Sequence, residues 1–231
     1  MPETHTRYPD KLLTNSQPVL LYSVSYEGTQ AETQTYAAPF AALGPVSTTI
    51  STGVKYVDLY TVIGNDVNSP VCRKNNNLLG AGASLPNWDI PGLRLAFDIF
   101  ANATADPRFA TSATLLENYG NNFVRTVDPK STALAPEERT YLVLASGVMW
   151  YEGDDARTHE DARVYAERIR EALNRGVDAS KKKRHTYVNY AFGDESLGQL
   201  YGYEQWRQEK LKALKKAYDP NNAFGFYVPI V

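Results

Sequence analysis

Arg184-His-Thr-Tyr187-Val-Asn-Tyr190, then Tyr201-Gly202, then Lys215-x-x-Tyr218-Asp219-Pro220-x-Asn222-x-Phe224 close the chain and decide how it is read. The first of these predicts a short strand from Tyr187 to Ala191. Alternation along a strand puts Tyr187 and Asn189 on one face and Val188 and Tyr190 on the other. Each face then carries a hydroxyl or amide that needs a partner if buried. A phenol removes a proton only when its pKa, about 10 unperturbed, is drawn down by its surroundings. A helix follows, from Tyr203 to Tyr218, with Tyr203, Trp206, Leu211, Leu214 and Tyr218 as its apolar face. Asp219-Pro220 stops it, because proline cannot continue a helix.

Working outward, the helix from about Glu160 to Asn174 is the clearest of the chain. Thr158 is placed to cap it, and Gly176 follows its end. Val164, Tyr165, Ile169, Ala172 and Leu173 share one face. Before it, Thr140–Tyr151 and Thr111–Tyr119 read as strands, and Pro91 opens a helix to about Asn102. Asn65 to Asn87 is rich in Asn, Gly, Ser and Pro and predicts a long surface excursion. Further upstream the pattern predicts a strand over Leu20–Tyr26, a helix over Gln30–Leu43, a strand over Val46–Ser51 and a short helix around Tyr56–Val62. Residues 1–17 form an irregular lead-in, and 18–231 is taken as a single domain. The expected class is α+β, a mostly antiparallel sheet with helices packed on one face.

Composition narrows the function. The 231 residues carry 24 basic and 26 acidic side chains, a net charge of −2, which offers no basic field for nucleic acid. No apolar run reaches membrane-spanning length. Cys72 is the single cysteine, so neither an intrachain disulfide nor a cysteine zinc site follows. His5, His159 and His185 are scattered, and His159-Glu-Asp161 lacks the spacing of a helical metal site. Gly80-Ala-Gly82-Ala-Ser84-Leu85 begins like a dinucleotide fingerprint, but Leu85 stands where the third glycine belongs, and it reads as a turn. Sixteen tyrosines suit the lining of an organic-substrate pocket and an ordinary sheet alike.

From about Pro18 onward, and most strongly after Tyr187, the chain resembles the berberine bridge enzyme-like family of FAD-linked oxidoreductases, fungal members especially. The closing segment, about 185–231, carries most of the likeness. The resemblance implies the substrate-binding and C-terminal portion of the fold, FAD as cofactor, and oxygen-dependent oxidation of a small organic substrate in fungal secondary metabolism. It places the Tyr187–Tyr190 strand beside the flavin ring. A tyrosine there assists proton removal, so Tyr187 and Tyr190 become candidate catalytic residues and Asn189 a candidate cofactor contact.

Val148-Met-Trp150 matches the preceding pocket strand of the family. Plant members set a carboxylate or amide on that strand, whereas this chain has Ala145-Ser146-Gly147. Glu117, on the Thr114–Asn118 strand, is the candidate for the missing carboxylate, with an exposed edge glutamate as the alternative. The flavin-binding module, with its attachment histidine, has no counterpart here, which makes a flavin-binding domain or chain an expected partner besides the substrate. Full-length relatives are often secreted, but Met1-Pro-Glu-Thr-His5 lacks the pattern of a secretory signal. Two other functions stay open: a flavin-free pocket that binds or isomerises a metabolite, and an inactive fragment.

Overall fold

A computed structural model describes residues 18–68, 72, 74–135, 140–141 and 143–230. They divide into two compact units that meet in sequence at Asn75 and Asn76. The lead-in expected over 1–17 lies outside the described residues.

The first unit is held by one helix and its approach. Helix α1 (Gln30–Ala41) begins with a capping box in which Thr29 and Glu32 satisfy each other's backbone N–H groups. The strand expected over Leu20–Tyr26 is irregular and pairs with no strand among the described residues. Instead it pairs rings with α1, Tyr22 with Phe40 at 5.0 Å and Tyr26 with Tyr36 at 4.6 Å. The strand expected over Val46–Ser51 is likewise irregular, while the short helix is present as a 3₁₀ turn at Tyr56–Asp58 continued by α2 (Leu59–Val62). No described residue up to Asn75 is buried.

The second unit contains the core. Its antiparallel sheet has the order β1–β3–β2, with β1 Asn77–Leu85, β2 Ala113–Asn118 and β3 Val143–Tyr151 in the centre. Helices α3 (Ile90–Thr104) and α4 (Ala156–Ala179) pack together on one face. The α+β architecture expected from the sequence is therefore the one observed. On α4, Ala162, Ala166, Ile169, Leu173 and Val177 recur at three- and four-residue intervals and form the buried stripe. They meet Ala81, Ala83 and Leu85 of β1 and Val143, Ala145 and Met149 of β3. These odd-numbered residues alternate out of each strand toward the helices, so the even-numbered ones look the other way.

Three local expectations are corrected. The surface excursion over Asn65–Asn87 contains β1, whose residues Ala81–Leu85 are all buried. Glycine and alanine have little strand propensity of their own, and here close packing on both faces selects the extended form. Helix α4 starts earlier than expected, capped by Asp155, which accepts from the Thr158 N–H at 2.8 Å. Gly176 lies inside α4 rather than after it. A methyl there would come within 2.8 Å of Asp89 Cβ, so the residue serves close helix approach.

Two further helices, α5 (Leu197–Tyr201) and α6 (Gln205–Tyr218), end the fold. The apolar face expected for α6 is largely exposed at Trp206, Leu214 and Tyr218. Its buried anchor is Arg207, whose side chain is 2% exposed and donates to the carbonyls of Pro129 and Thr132, each at 2.9 Å. Among the described residues no helix is long and apolar enough to cross a membrane.

Candidate functional site

The helix-free face of the sheet is floored by small residues. In register, Gly82 stands opposite Ser146 and Ser146 opposite Leu115, while Ser84 stands opposite Leu144 and Leu144 opposite Glu117. Directly paired residues share a face, so Glu117 rises from the side away from α4. The segment His185–Tyr190 crosses this floor. Ser84 N donates to the His185 carbonyl at 2.8 Å, and Thr186 Oγ1 donates to the Gly82 carbonyl at 3.3 Å. A methyl on Gly82 would fall on the Tyr190 carbonyl oxygen and within 2.7 Å of its Cβ. Gly82 is thus the notch in which Tyr190 lies, and the glycine-rich run is neither a turn nor a phosphate loop.

The strand expected over Tyr187–Ala191 is a 3₁₀ turn, Val188–Tyr190. Tyr190 N donates to the Tyr187 carbonyl at 2.8 Å and Ala191 N to the Val188 carbonyl at 3.2 Å. From the C-terminal return, the Tyr227 hydroxyl donates to the Val188 and Ala191 carbonyls at 2.9 and 3.2 Å. Backbone groups that a strand would offer a neighbour are engaged here within the turn and by Tyr227. In 3₁₀ geometry residues i and i+3 eclipse one another. Tyr187 and Tyr190, expected on opposite faces, therefore meet edge to face with ring centres 5.7 Å apart.

Around Glu117 the side chains form a small polar cluster. The Tyr190 hydroxyl donates to Glu117 Oε2 and the Tyr119 hydroxyl to Oε1, the latter at 2.8 Å. Asn189 Nδ2 donates to the Tyr187 hydroxyl at 3.0 Å. Burial, reinforced by the bond to the Glu117 carboxylate, pushes the Tyr190 phenol well above its ordinary value. The bond to Glu117, followed by burial, raises Tyr119 as well. Both phenols are thus proton donors at neutral pH. The lowered phenol pKa that proton abstraction by tyrosine alone would need is not found at Tyr190.

Sequence reading singled out Glu117, Tyr187, Asn189 and Tyr190, and the fold brings all four to one place. It passed over Tyr119, although Glu117 and Tyr119 are two apart and strand alternation puts them on one side. It also passed over Tyr141, which flanks the buried His185 with Tyr203, at ring distances of 5.5 and 5.2 Å. A cleft of about 200 Å³ adjoins the cluster, lined by Tyr119, Val124, Leu134, Tyr141, Leu144 and Tyr187 among others. A larger, open hollow of about 490 Å³ lies between α3 and α4 on the opposite face, rimmed by Glu167, Glu171, Arg175 and Asp178. It holds none of the clustered phenols. Among the described residues no group of His, Cys, Asp or Glu is placed to bind a metal ion.

Buried charges fasten the segments that carry the cluster. Arg170 of α4, with an 11% exposed side chain, donates to both carboxylate oxygens of Asp194 at 2.6 and 2.8 Å and to Glu195 at 3.1 Å. It lies against the Phe192 ring at 4.9 Å. Glu195, whose side chain is wholly buried, also accepts the Phe192 and Gly193 N–H groups, which closes the loop after Tyr190. At the chain's end Asp219 pairs with Lys215 and accepts from Ala223 N at 2.7 Å and Phe224 N at 3.1 Å. Asn222 adopts a positive φ of 53°, a conformation asparagine tolerates. The Lys215…Phe224 spacing is thus a helix stop that sends the chain back toward Val188.

An antiparallel sheet with helices packed on one face is the substrate-domain architecture of the FAD-linked oxidase fold. The solved carbohydrate oxidase from Microdochium nivale superposes with a TM-score of 0.59 at 16% identity, over 84% of this chain and 42% of that one. A chitooligosaccharide oxidase gives 0.54 at 18% identity, with the same coverage of each chain. Residues 186–230 match the family model described as "Berberine and berberine like". The FAD-linked oxidoreductase anuG of Penicillium roqueforti is 32% identical over 223 residues, covering 96% of this chain and 43% of that protein. The FAD-linked oxidoreductase chry5 of Gibberella zeae is 33% identical over 221 residues, 92% of this chain and 42% of that one. Residues 186–230 thus carry the berberine and berberine like segment, and the chain as a whole is similar to the C-terminal portion of fungal FAD-linked oxidoreductases. It spans somewhat under half the length of these curated relatives.

Proposed function

We propose that this chain forms the substrate side of an FAD-linked oxidoreductase, with Glu117 as the terminal proton acceptor and Tyr190 as the group through which the proton reaches it. The observation that carries this reading is the Glu117 carboxylate held between two phenols, Tyr190 on Oε2 and Tyr119 on Oε1. A phenolate at Tyr190 is opposed by burial and by the adjacent carboxylate. The favoured route is therefore concerted: Tyr190 Oη receives the proton of a substrate alcohol or amine as its own passes to Glu117 Oε2. Tyr119 keeps the carboxylate oriented. This replaces the strand-borne base that Ala145-Ser146-Gly147 does not provide.

The residues present fit the ring end of FAD better than its phosphates. Asn189 is exposed beside the Tyr187 hydroxyl, and these two would hold the edge of a flat polar ring. Gly80 and Gly82 lie in mid-strand rather than in the turn before α3, so they make no phosphate cradle. FAD, when bound, supplies the acceptor for the electron pair leaving the substrate. A further flavin-holding domain or polypeptide accounts for the remainder of the cofactor site. It also accounts for the first unit, where apolar side chains such as Leu20, Leu21 and Val67 stand exposed.

The test is spectroscopic and kinetic. The protein is purified in the form in which its source produces it, and flavin absorbance and oxygen uptake with alcohol and amine substrates are recorded. Glu117→Gln and Tyr190→Phe are expected to retain flavin and to lower kcat by about 10² to 10⁴, the range for a lost general base. A protein without flavin absorbance that takes up none when given FAD overturns the reading.

A further inference from the structure

Resting on the oxidase reading and naming its substrate class, we propose that the cleft beside Glu117 is a subsite for an aromatic ring of the substrate. Three tyrosines, Tyr119, Tyr141 and Tyr187, border it with the alkyl groups of Leu144, Val124 and Leu134. Two of the three belong to the cluster just described. Tyr119 is bonded to Glu117, and the Tyr187 ring meets that of Tyr190 at 5.7 Å. A ring seated there would have its substituent carbon next to the phenol and carboxylate that handle the proton.

The chemistry of the lining separates an aromatic ligand from a sugar. Every tyrosine hydroxyl around the cleft already has a partner within the protein. Tyr119 donates to Glu117, Tyr141 donates to the Lys183 carbonyl at 3.1 Å, and Tyr187 accepts from Asn189. The amide of Asn121 is likewise engaged, donating to the Tyr141 carbonyl at 3.4 Å. What the cleft presents is ring and alkyl surface, which rewards a flat apolar group through area and edge-to-face contact. Of the three tyrosines only Tyr187, which accepts from Asn189, keeps an O–H to offer a saccharide, so most sugar hydroxyls would go without new partners, and that desolvation opposes entry. Size agrees: drug-sized ligands occupy about 300–1,000 Å³, so about 200 Å³ admits one ring system rather than a whole multi-ring substrate.

Binding of 2-naphthalenemethanol to the full chain, without added flavin, is measured by NMR titration beside cellobiose as the saccharide comparator. The aromatic alcohol is expected to bind at least about tenfold more tightly, and Val124→Trp, which fills the cleft, to weaken it about tenfold. Thermal unfolding of that variant shows whether its fold is retained. Should it not fold, cross-relaxation between naphthyl protons and the ring protons of Tyr119, Tyr141 and Tyr187 in the unsubstituted protein decides in its place. Cellobiose binding as tightly, or naphthyl contacts elsewhere, overturns the proposal. Aromatic binding without any flavin-dependent turnover keeps the subsite and sinks the oxidase reading. Turnover of cellobiose with no aromatic binding does the reverse.

Discussion

Gly80 and Gly82 sit two residues apart on the same face of β1, and alanine at each is expected to change stability in opposite directions. Glycine to alanine in an extended segment restricts the unfolded chain and stabilises by about 0.4–1 kcal/mol where the fold has room. At Gly80 the added methyl would find Ser146 Oγ at 3.6 Å, an ordinary contact. Gly80→Ala should therefore be neutral to stabilising by up to that amount. At Gly82 the methyl would fall on the Tyr190 carbonyl oxygen and come within 2.7 Å of Tyr190 Cβ and 3.0 Å of Thr186 Cγ2. A carbonyl cannot swing aside as a side-chain tip can, so the 186–190 segment must move.

Overpacking of that kind costs about 1–3 kcal/mol, which outweighs the entropic gain and leaves a net loss of roughly 0.5–2 kcal/mol. For a unit of this size each kcal/mol shifts Tm by about 2–4 °C, so Gly82→Ala should melt several degrees below Gly80→Ala. The same movement would draw Tyr190 away from Glu117, and ultraviolet titration should then show a phenol ionising at lower pH than in the parent. Equal melting temperatures with an unchanged phenol titration would show that Tyr190 is not seated against Gly82, and the described site would fall with it.

Three further outcomes follow from the charges. Arg170→Met removes the cation shared by Asp194, Glu195 and Glu167; breaking a buried pair costs about 3–5 kcal/mol, and because Asp194 and Glu167 reach solvent the low end, near 3, is expected in chemical denaturation. Hydrogen bonding to Arg170 holds the Asp194 carboxyl below its ordinary range, so its contribution is complete above about pH 4 and disappears as pH falls through the depressed folded value. Acid unfolding should accordingly differ less between parent and Arg170→Met at pH 3 than at pH 7. At the alkaline end the sign reverses: burial and Glu117 raise Tyr190, so its contribution is present below about pH 10 and fades as pH rises toward the higher folded value. Tyr190→Phe should remove that part of the alkaline instability.

Much of the framework was legible in the residues because it is written locally. The stripe of α4 recurs with the helical period, Pro91 marks the first turn of α3, and the alternating runs ending at Asn118 and Tyr151 are β2 and β3. The Lys215…Phe224 spacing also carries its own explanation, since Asp219 pairs with Lys215 and accepts the Ala223 and Phe224 N–H groups while Asn222 supplies the positive φ of the exit. Strand β1 was not legible, because its glycines and alanines prefer no strand until Tyr190 and the helices close on either side of it. Nor was the turn at Val188–Tyr190, which depends on Tyr227, a residue nearly forty positions away.

By itself the sequence determined the class of the fold, the likeness to a family, and four of the side chains that gather at the candidate site. Their chemistry was decided only by the tertiary structure. Glu117 and Tyr190 are 73 residues apart, and no local preference reports a hydrogen bond between them. It is the sheet register opposite Leu144 and the notch at Gly82 that put the carboxylate on the phenol. That contact, with burial, raises the Tyr190 phenol and makes it the donor in its bond to the carboxylate.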